Sequence, residues 1–192
     1  MKILVTTSDK YSFLLEPYCE LFNRYWPGQE IIFLGFNISK SPKLPDNCSF
    51  VSLGNQKDFG SSWTDPLIPY IDGLESDYFI VTVEDMMLTD YVDVERMKLL
   101  EDEVRTGKAH KAILDTHLNI HAEEYKPNIL KLKQEAPYRT TLHPCIWRKE
   151  YFKKYLNPNF TAWDFEIKNM KQSQSDEATI ISLSGDKETN LF

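Results

Sequence analysis

One stretch limits what this chain can become more than any other: Asp77 to Asp93, DYFIVTVEDMMLTDYVD, where an apolar, β-rich run stops at two adjacent carboxylates, Glu84 and Asp85. A run of that length bounded by turn-forming residues reads as a buried strand. In open α/β sheets ligands bind beyond the carboxyl ends of the strands, so acids delivered there are placed to meet a ligand. The bland reading is a solvated loop, with Asp90 and Asp93 capping the next helix.

The flanking segments supply the rest of such a sheet. KILVTT, Lys2 to Thr7, predicts a first buried strand that opens into the polar loop Ser8-Asp9-Lys10. Tyr11, Leu14, Leu15, Tyr18, Leu21, Phe22, Tyr25 and Trp26 then recur at helical spacing, a stripe that belongs against a sheet. Pro17 starts or kinks this helix, and Pro27-Gly28 stops it. Strands follow at Glu30 to Phe36 and Ser49 to Leu53, separated by a Ser/Pro/Lys-rich loop. Strand, helix, strand in this order implies parallel α/β units. The polar loop after Leu53 carries Trp63 and Asp65 ahead of a helix beginning near Pro66. Both are assigned to the donor side of a ligand cleft, against a plain packing role for Trp63 and a capping role for Asp65.

Val94, Met97, Leu100 and Val104 predict a surface helix ending at Gly107, and Lys111 to Thr116 a further strand. His117 and His121 lie four apart, but HLNIH lacks the glutamate of a metalloprotease helix and no third ligand is evident, so no zinc site is expected there. Tyr125 to Arg139, interrupted by Pro127 and Pro137, is expected to hold little regular structure. TTLHPCIW, Thr140 to Trp147, reads as a strand leading into KEYFKKYL. Beyond it, Trp163, Asp164 and Glu166 set an aromatic ring beside two acids, although Thr161 with Asp164 also matches a helix N-terminal capping box. A short strand is expected at ATIISL, within a segment, 170–192, read as a loosely packed tail with a fraying charged end. The expectation is one α/β domain over residues 1–192, a mostly parallel mixed sheet flanked by helices.

Composition removes several alternatives. With 42% hydrophobic residues in 192, the chain can build a core. A formal charge of −7 argues against general affinity for nucleic acid, which depends on Lys and Arg neutralising phosphates. Three widely spaced cysteines suggest neither a disulfide framework nor a thiolate zinc site. No apolar run approaches the roughly 20 residues that span a bilayer, and Met1-Lys2 leads straight into a strand. A cytoplasmic protein, or one peripheral to the inner face of the membrane, is the expectation.

The chemistry then rests on two acidic clusters, Glu84-Asp85 and Asp164/Glu166. If both face one cleft, the first suits a divalent cation on a phosphorylated substrate, since Mg2+ needs only one or two carboxylates besides substrate phosphates. The second suits removal of a proton from an incoming hydroxyl. That division of labour is what sugar transfer from a nucleoside-diphosphate donor requires.

KILVTTSD, FNRYWPGQEIIFLGF, GSSWTDPL, YFIVTVEDMMLTDYVD, TTLHPCIWRKEYF and WDFE, taken in this order, resemble a group of bacterial and phage-type glycosyltransferases with the nucleotide-sugar-binding A-type (GT-A-like) fold. The likeness runs over most of residues 1–170. It implies that Glu84-Asp85 stands in place of the DxD motif that holds Mg2+ or Mn2+ and the donor phosphates, with His143 as a weaker supplement to the metal. It also implies that Trp163, Asp164 and Glu166 border the acceptor and supply the base, Asp164 being preferred, and that Thr7 and Ser8 line the nucleotide site. A nucleotide-sugar donor and a glycan acceptor, as in polysaccharide biosynthesis, are the partners so implied. The chain carries Val83-Glu84-Asp85 where a DxD would stand, which keeps a second expectation open: a catalytically inactive nucleotide- or carbohydrate-binding module on the same fold. A nucleotidyltransferase would also place acids and metal at a strand end, but the glycine- and basic-rich triphosphate loop it needs is not found near the first strand.

Overall fold

The computed structural model describes residues 1–38 and 42–185. The middle of the Ser/Pro/Lys-rich loop and the charged end of the chain lie outside the described residues. Among the described residues nine strands form one mixed sheet in the order β3-β2-β1-β4-β8-β5-β9-β7-β6. They are β1 (Ile3–Thr6), β2 (Ile31–Gly35), β3 (Cys48–Ser52), β4 (Tyr78–Val83), β5 (Lys111–Ile113), β6 (Ala122–Lys126), β7 (Ile129–Leu132), β8 (Cys145–Arg148) and β9 (Ile180–Leu183). The helices are α1 (Leu15–Tyr25), α2 (Gln56–Phe59), α3 (Thr64–Asp72), α4 (Val94–Arg105), α5 (Lys149–Lys153), α6 (Ala162–Ile167) and α7 (Met170–Ser173).

Alternation along the strands explains the layering. Ile3, Val5, Ile31, Phe33, Ile80 and Ile146 face one side and pack with Tyr18 and Phe22 of α1 and Met97, Leu100 and Val104 of α4. Leu4, Ile32, Phe79, Val81, Cys145 and Trp147 face the other, against Leu67 and Ile71 of α3, Phe152 of α5 and Phe165 of α6. A strand buried on both faces must be apolar at every position, as IIFL of β2 and FIV of β4 are. Each fully buried side chain of the size of Phe22 or Leu100 contributes roughly 1.5–3 kcal/mol. Pro17 falls in the first turn of α1, where its missing N–H deprives the helix of nothing. Gly107 follows α4 at φ 80°, the left-handed conformation that closes a helix at least cost to glycine.

β3, β2, β1 and β4 run parallel, whereas β8 enters antiparallel between β4 and β5. Two expectations from sequence change here. Ala122–Lys126 and Ile129–Leu132 pair as a hairpin, because Pro127 and Asn128 (φ 65°) supply a tight turn instead of breaking the structure. Within the described part of the segment, residues 170–185, the chain is packed, not loose: β9 is buried between β5 and β7.

Candidate functional site

Because β8 runs against its neighbours, it begins at the edge where β1, β4 and β5 end. Cys145 is in register with Val81 of β4 and with Ile113 of β5. Two residues further along the same registers, His143 comes abreast of Asp115, and Glu84 and Asp85 emerge beside them. A cavity of about 700 Å³ opens at this edge, a size suited to a small-molecule ligand. Its wall includes Thr7, Ser8, Trp63, Glu84, Asp85, His117, Thr141, His143, Trp163 and Glu166.

The first wall is the end of β1. Thr7 donates its backbone N–H to Leu34 O at 2.9 Å, and it packs so closely on β2 that a Cβ on Gly35 would sit 2.7 Å from Thr7 Cγ2. Glycine is needed at that position for the strand ends to approach. Ser8 follows and accepts the N–H of Tyr11 at 3.0 Å.

The second wall is the tip of β4. The N–H of Met86 bonds back to Val83 O at 3.2 Å, so Glu84 and Asp85 occupy the middle of a tight turn. Their environments differ. Glu84 is only 8% exposed, and burial, reinforced by the charge of Asp85 and opposed by a backbone hydrogen bond, pushes its carboxyl up to about 7. Asp85 is exposed to solvent on the cavity side. One acid of the pair is therefore proton-poised near neutrality, and the other is free to meet a cation.

A third group was not expected. Asp115 lies just past β5 and receives His143 Nδ1 on Oδ2 at 2.6 Å and His117 Nδ1 on Oδ1. The backbone N–H of His117 also bonds Asp115 Oδ1, at 3.2 Å, which folds the chain back on itself. The two imidazoles stack with centroids 3.9 Å apart. Burial opposes ionisation of Asp115, but the two imidazole hydrogen bonds outweigh it and hold the carboxyl well below its usual range. The same bond raises His143. His117 thus finds its partners in Asp115 and His143, not in His121, and a donor set of two nitrogens and a carboxylate exists where none was anticipated.

The fourth wall is α6. Thr161 caps it: Thr161 Oγ1 accepts the N–H of Asp164 at 3.0 Å, and Asp164 Oδ2 accepts the N–H of Thr161 at 3.2 Å. Asp164 Oδ1 pairs with Lys168 at 2.8 Å, and the Lys168 hydrogen bond holds the Asp164 carboxyl below its ordinary range. Asp164 does not line the cavity. At 100° per residue, Ala162, Trp163 and Glu166 share one arc of the helix, with Asp164 on the far side. All three of the former line the cavity. Trp163 is 71% exposed at the mouth, while Glu166 accepts the N–H of Leu142 on Oε1 at 2.7 Å. Phe165 turns the other way into the core.

Trp63 lines the cavity and also packs edge-on to Phe165 at 5.1 Å, so its packing and site roles coincide. Asp65 is not part of the wall; its Oδ1 accepts the N–H of Asn159 at 2.9 Å and ties α3 to the loop before α6.

Two buried cations that sequence reasoning passed over hold the loop carrying His143. Lys111 Nζ donates to Arg139 O and Thr141 O, each at 3.0 Å, and lies 3.9 Å from the Trp147 ring centre. Burial lowers its pKa to about 8. Arg139 donates in turn to Ser173 O, Lys133 O and Ala178 O at 2.8, 3.0 and 2.8 Å. Lysine at the start of a strand and arginine at the end of a basic loop give no signal of burial from sequence. Lys111 is held by backbone carbonyls and Arg139 by carbonyls and by Asp176 at 3.6 Å, and neither reaches the cavity: among the described residues that line it there is no lysine or arginine.

No protein-family model matches the chain, and no curated protein matches it in sequence. Solved structures do share its architecture. A Staphylococcus aureus TarS structure of residues 1–349 superposes with a TM-score of 0.59 at 14% identity, covering 96% of this chain and 58% of its own. The fold is GT-A-like. LgtC, a galactosyltransferase solved with donor and acceptor sugar analogs, gives 0.50 at 14% identity over 91% of this chain and 69% of its own. CMP:2-keto-3-deoxy-manno-octonic acid synthetase complexed with CTP gives 0.52 at 13% identity over 94% and 87%. The chain spans little more than half of the TarS fragment, and these likenesses establish a GT-A-like α/β architecture. Among the described residues no helix is long and apolar enough to cross a membrane.

Proposed function

We propose that this chain is a glycosyltransferase that moves a sugar from a nucleotide-sugar donor to a hydroxyl of a glycan acceptor. The observation that carries the reading is that Glu84 and Asp85 from β4 share one cavity with Trp163 and Glu166 from α6. Thr7, Ser8 and Trp63 line the nucleotide side. Asp85, exposed at the strand tip, would hold Mg2+ or Mn2+ for the donor phosphates. With Glu84, Asp85 and Glu166 in the wall and, among the described residues, no lysine or arginine there, the residues fit a cation better than they fit a bare diphosphate. When bound, the cation supplies positive charge against the departing diphosphate. Glu84, neutral for part of the time near pH 7, can donate a hydrogen bond to the donor sugar.

Glu166 is the base in this reading, in place of Asp164, whose oxygens are committed to the helix cap and to Lys168. The Leu142 N–H fixes Glu166 Oε1, and Trp163 offers the acceptor sugar an apolar face one turn away. Direct attack by the hydroxyl that Glu166 deprotonates gives inversion at the transferred carbon. Glu166→Gln should lower the transfer rate by roughly 10²- to 10⁴-fold, and Asp164→Asn should leave it within a few-fold. Full activity in Glu166→Gln, or loss confined to Asp164→Asn, would reverse the assignment of the base.

A second reading has one observation behind it. Val83-Glu84-Asp85 is not a DxD, which suits a catalytically silent nucleotide- or carbohydrate-binding module. Ligand binding without turnover across a panel of acceptors would favour it.

A further inference from the structure

We propose that Asp115, His117 and His143 form a binding site for a first-row transition-metal cation beside this cavity, whose wall includes both histidines, distinct from the acidic tip of β4. One donor atom from each residue lies within 4.8 Å of the other two. The set is built by the fold, not by chance proximity on a surface. Asp115 follows β5 and His143 precedes β8, so the antiparallel β5–β8 register sets their approach. Lys111 ties the strand that ends before Asp115 to the loop that carries His143. His117 is held by its own backbone bond to Asp115.

The alternative is a hydrogen-bonded trio with no ligand, a carboxylate satisfied by two imidazoles. That trio, however, already has the features of a metal-binding set. For Asp115 to accept from both rings, each Nδ1 must carry its proton, and in the neutral ring this leaves Nε2 as an unprotonated lone pair. A carboxylate behind a histidine is the arrangement that orients imidazole ligands toward a metal. Alternatively the cation replaces the two Nδ1 protons and binds the carboxylate directly, as in sites with two histidines and one acid. In either mode the protein supplies no more than three ligands. The remaining positions are open to the cavity that Thr141 and Glu166 also line.

Ligand chemistry selects the metal. Imidazole nitrogen suits zinc, copper, nickel and iron, whereas magnesium takes oxygen ligands and keeps several waters. Affinity in such a site should rise from manganese through cobalt to zinc. The acidic pair Glu84-Asp85 offers oxygen alone, which suits magnesium and manganese. The two places can therefore be told apart by metal and by mutation.

The test is a titration of the full chain, stripped with chelator, with cobalt(II) followed by its visible absorption and with zinc followed by calorimetry. One cobalt per chain is expected, displaced by zinc and not by a large excess of magnesium. His117→Gln and His143→Gln should each weaken binding beyond the roughly 10- to 100-fold that loss of a supporting neighbour costs. His121→Gln, outside the cluster, should bind normally. Because a variant that does not fold would also lose metal, the copper(II) resonance spectrum of the unaltered chain provides a second reading: two nitrogen ligands are expected. Absence of saturable binding, a copper site with no nitrogen ligand, or full binding in a folded His117→Gln/His143→Gln variant would overturn the site. So would cobalt lost only on Asp85→Ala, since that places the cation at β4. The titration contains no nucleotide, so its outcome is independent of the donor reading above.

Discussion

Glu84 offers the sharpest physical consequence of this geometry. It is 8% exposed, and burial, with the adjacent charge of Asp85, raises its carboxyl from 4.5 to about 7. Between those values the native state binds more protons at this position than the unfolded chain does. Unfolding free energy must then fall as pH rises through the window, and the penalty is fully in place above about pH 7. The interval corresponds to about 3 kcal/mol, of which roughly 2–3 kcal/mol develops between pH 5 and pH 8. Glu84→Gln keeps the shape of the neutral acid and cannot ionise. The variant should match the parent to within about 1 kcal/mol at pH 5 and exceed it by roughly 2–3 kcal/mol more at pH 8. Urea unfolding of both proteins at the two pH values, followed by tryptophan fluorescence, measures the difference directly. A stability difference that does not change with pH, or one that grows toward acid, would refute the burial argument and with it the claim that Glu84 is neutral for part of the time near pH 7.

The support of the cavity and its rim lead to two further expectations. Lys111→Met leaves the carbonyls of Arg139 and Thr141 without their donor and should cost roughly 2–5 kcal/mol in urea unfolding; a loss under about 1 kcal/mol would mean that the loop is held by Arg139 alone. Trp163→Ala should change stability by no more than about 0.5 kcal/mol, because the ring is 71% exposed. The same change should raise the acceptor KM about 2- to 10-fold with kcat little altered, and an unchanged KM would remove the ring from the acceptor site.

The parts of this structure that are local in sequence were legible, and the parts made by chain crossing were not. The apolar run ending at Glu84 dictated a buried strand with acids at its tip, and the stripe through Tyr18 and Phe22 dictated a helix against the sheet. Thr161 and Asp164 gave the capping box outright, yet Asp164 was also read, with Glu166, as part of a catalytic cluster. Only helical geometry, with Glu166 on the cavity arc and Asp164 opposite, separates the two. Asp115 carried no signal, since its partner His143 is distant in sequence and meets it only because β8 inserts antiparallel between β4 and β5. A reading built on successive parallel units cannot anticipate that insertion. Pro127 misled for a related reason: a proline that would end a helix begins a hairpin turn when Asn128 can follow at positive φ. Lys111 and Arg139 are buried because carbonyls converge on them from elements far along the chain, a convergence with no local trace.

The central claim is that the cavity at the ends of β1 and β4 takes a nucleotide-linked sugar through Asp85. The most direct measurement is a thermal-shift and calorimetric titration of nucleoside diphosphates and nucleotide sugars, with magnesium or manganese, against the unaltered chain and Asp85→Ala. A ligand that binds only the native state at one hundred times its Kd stabilises it by about 2.7 kcal/mol, a shift readily seen in the melting temperature. Saturable, metal-dependent binding of at least one nucleotide, lost in a folded Asp85→Ala variant, is the predicted result. Binding to none of the panel, or binding that survives Asp85→Ala unchanged, would contradict it.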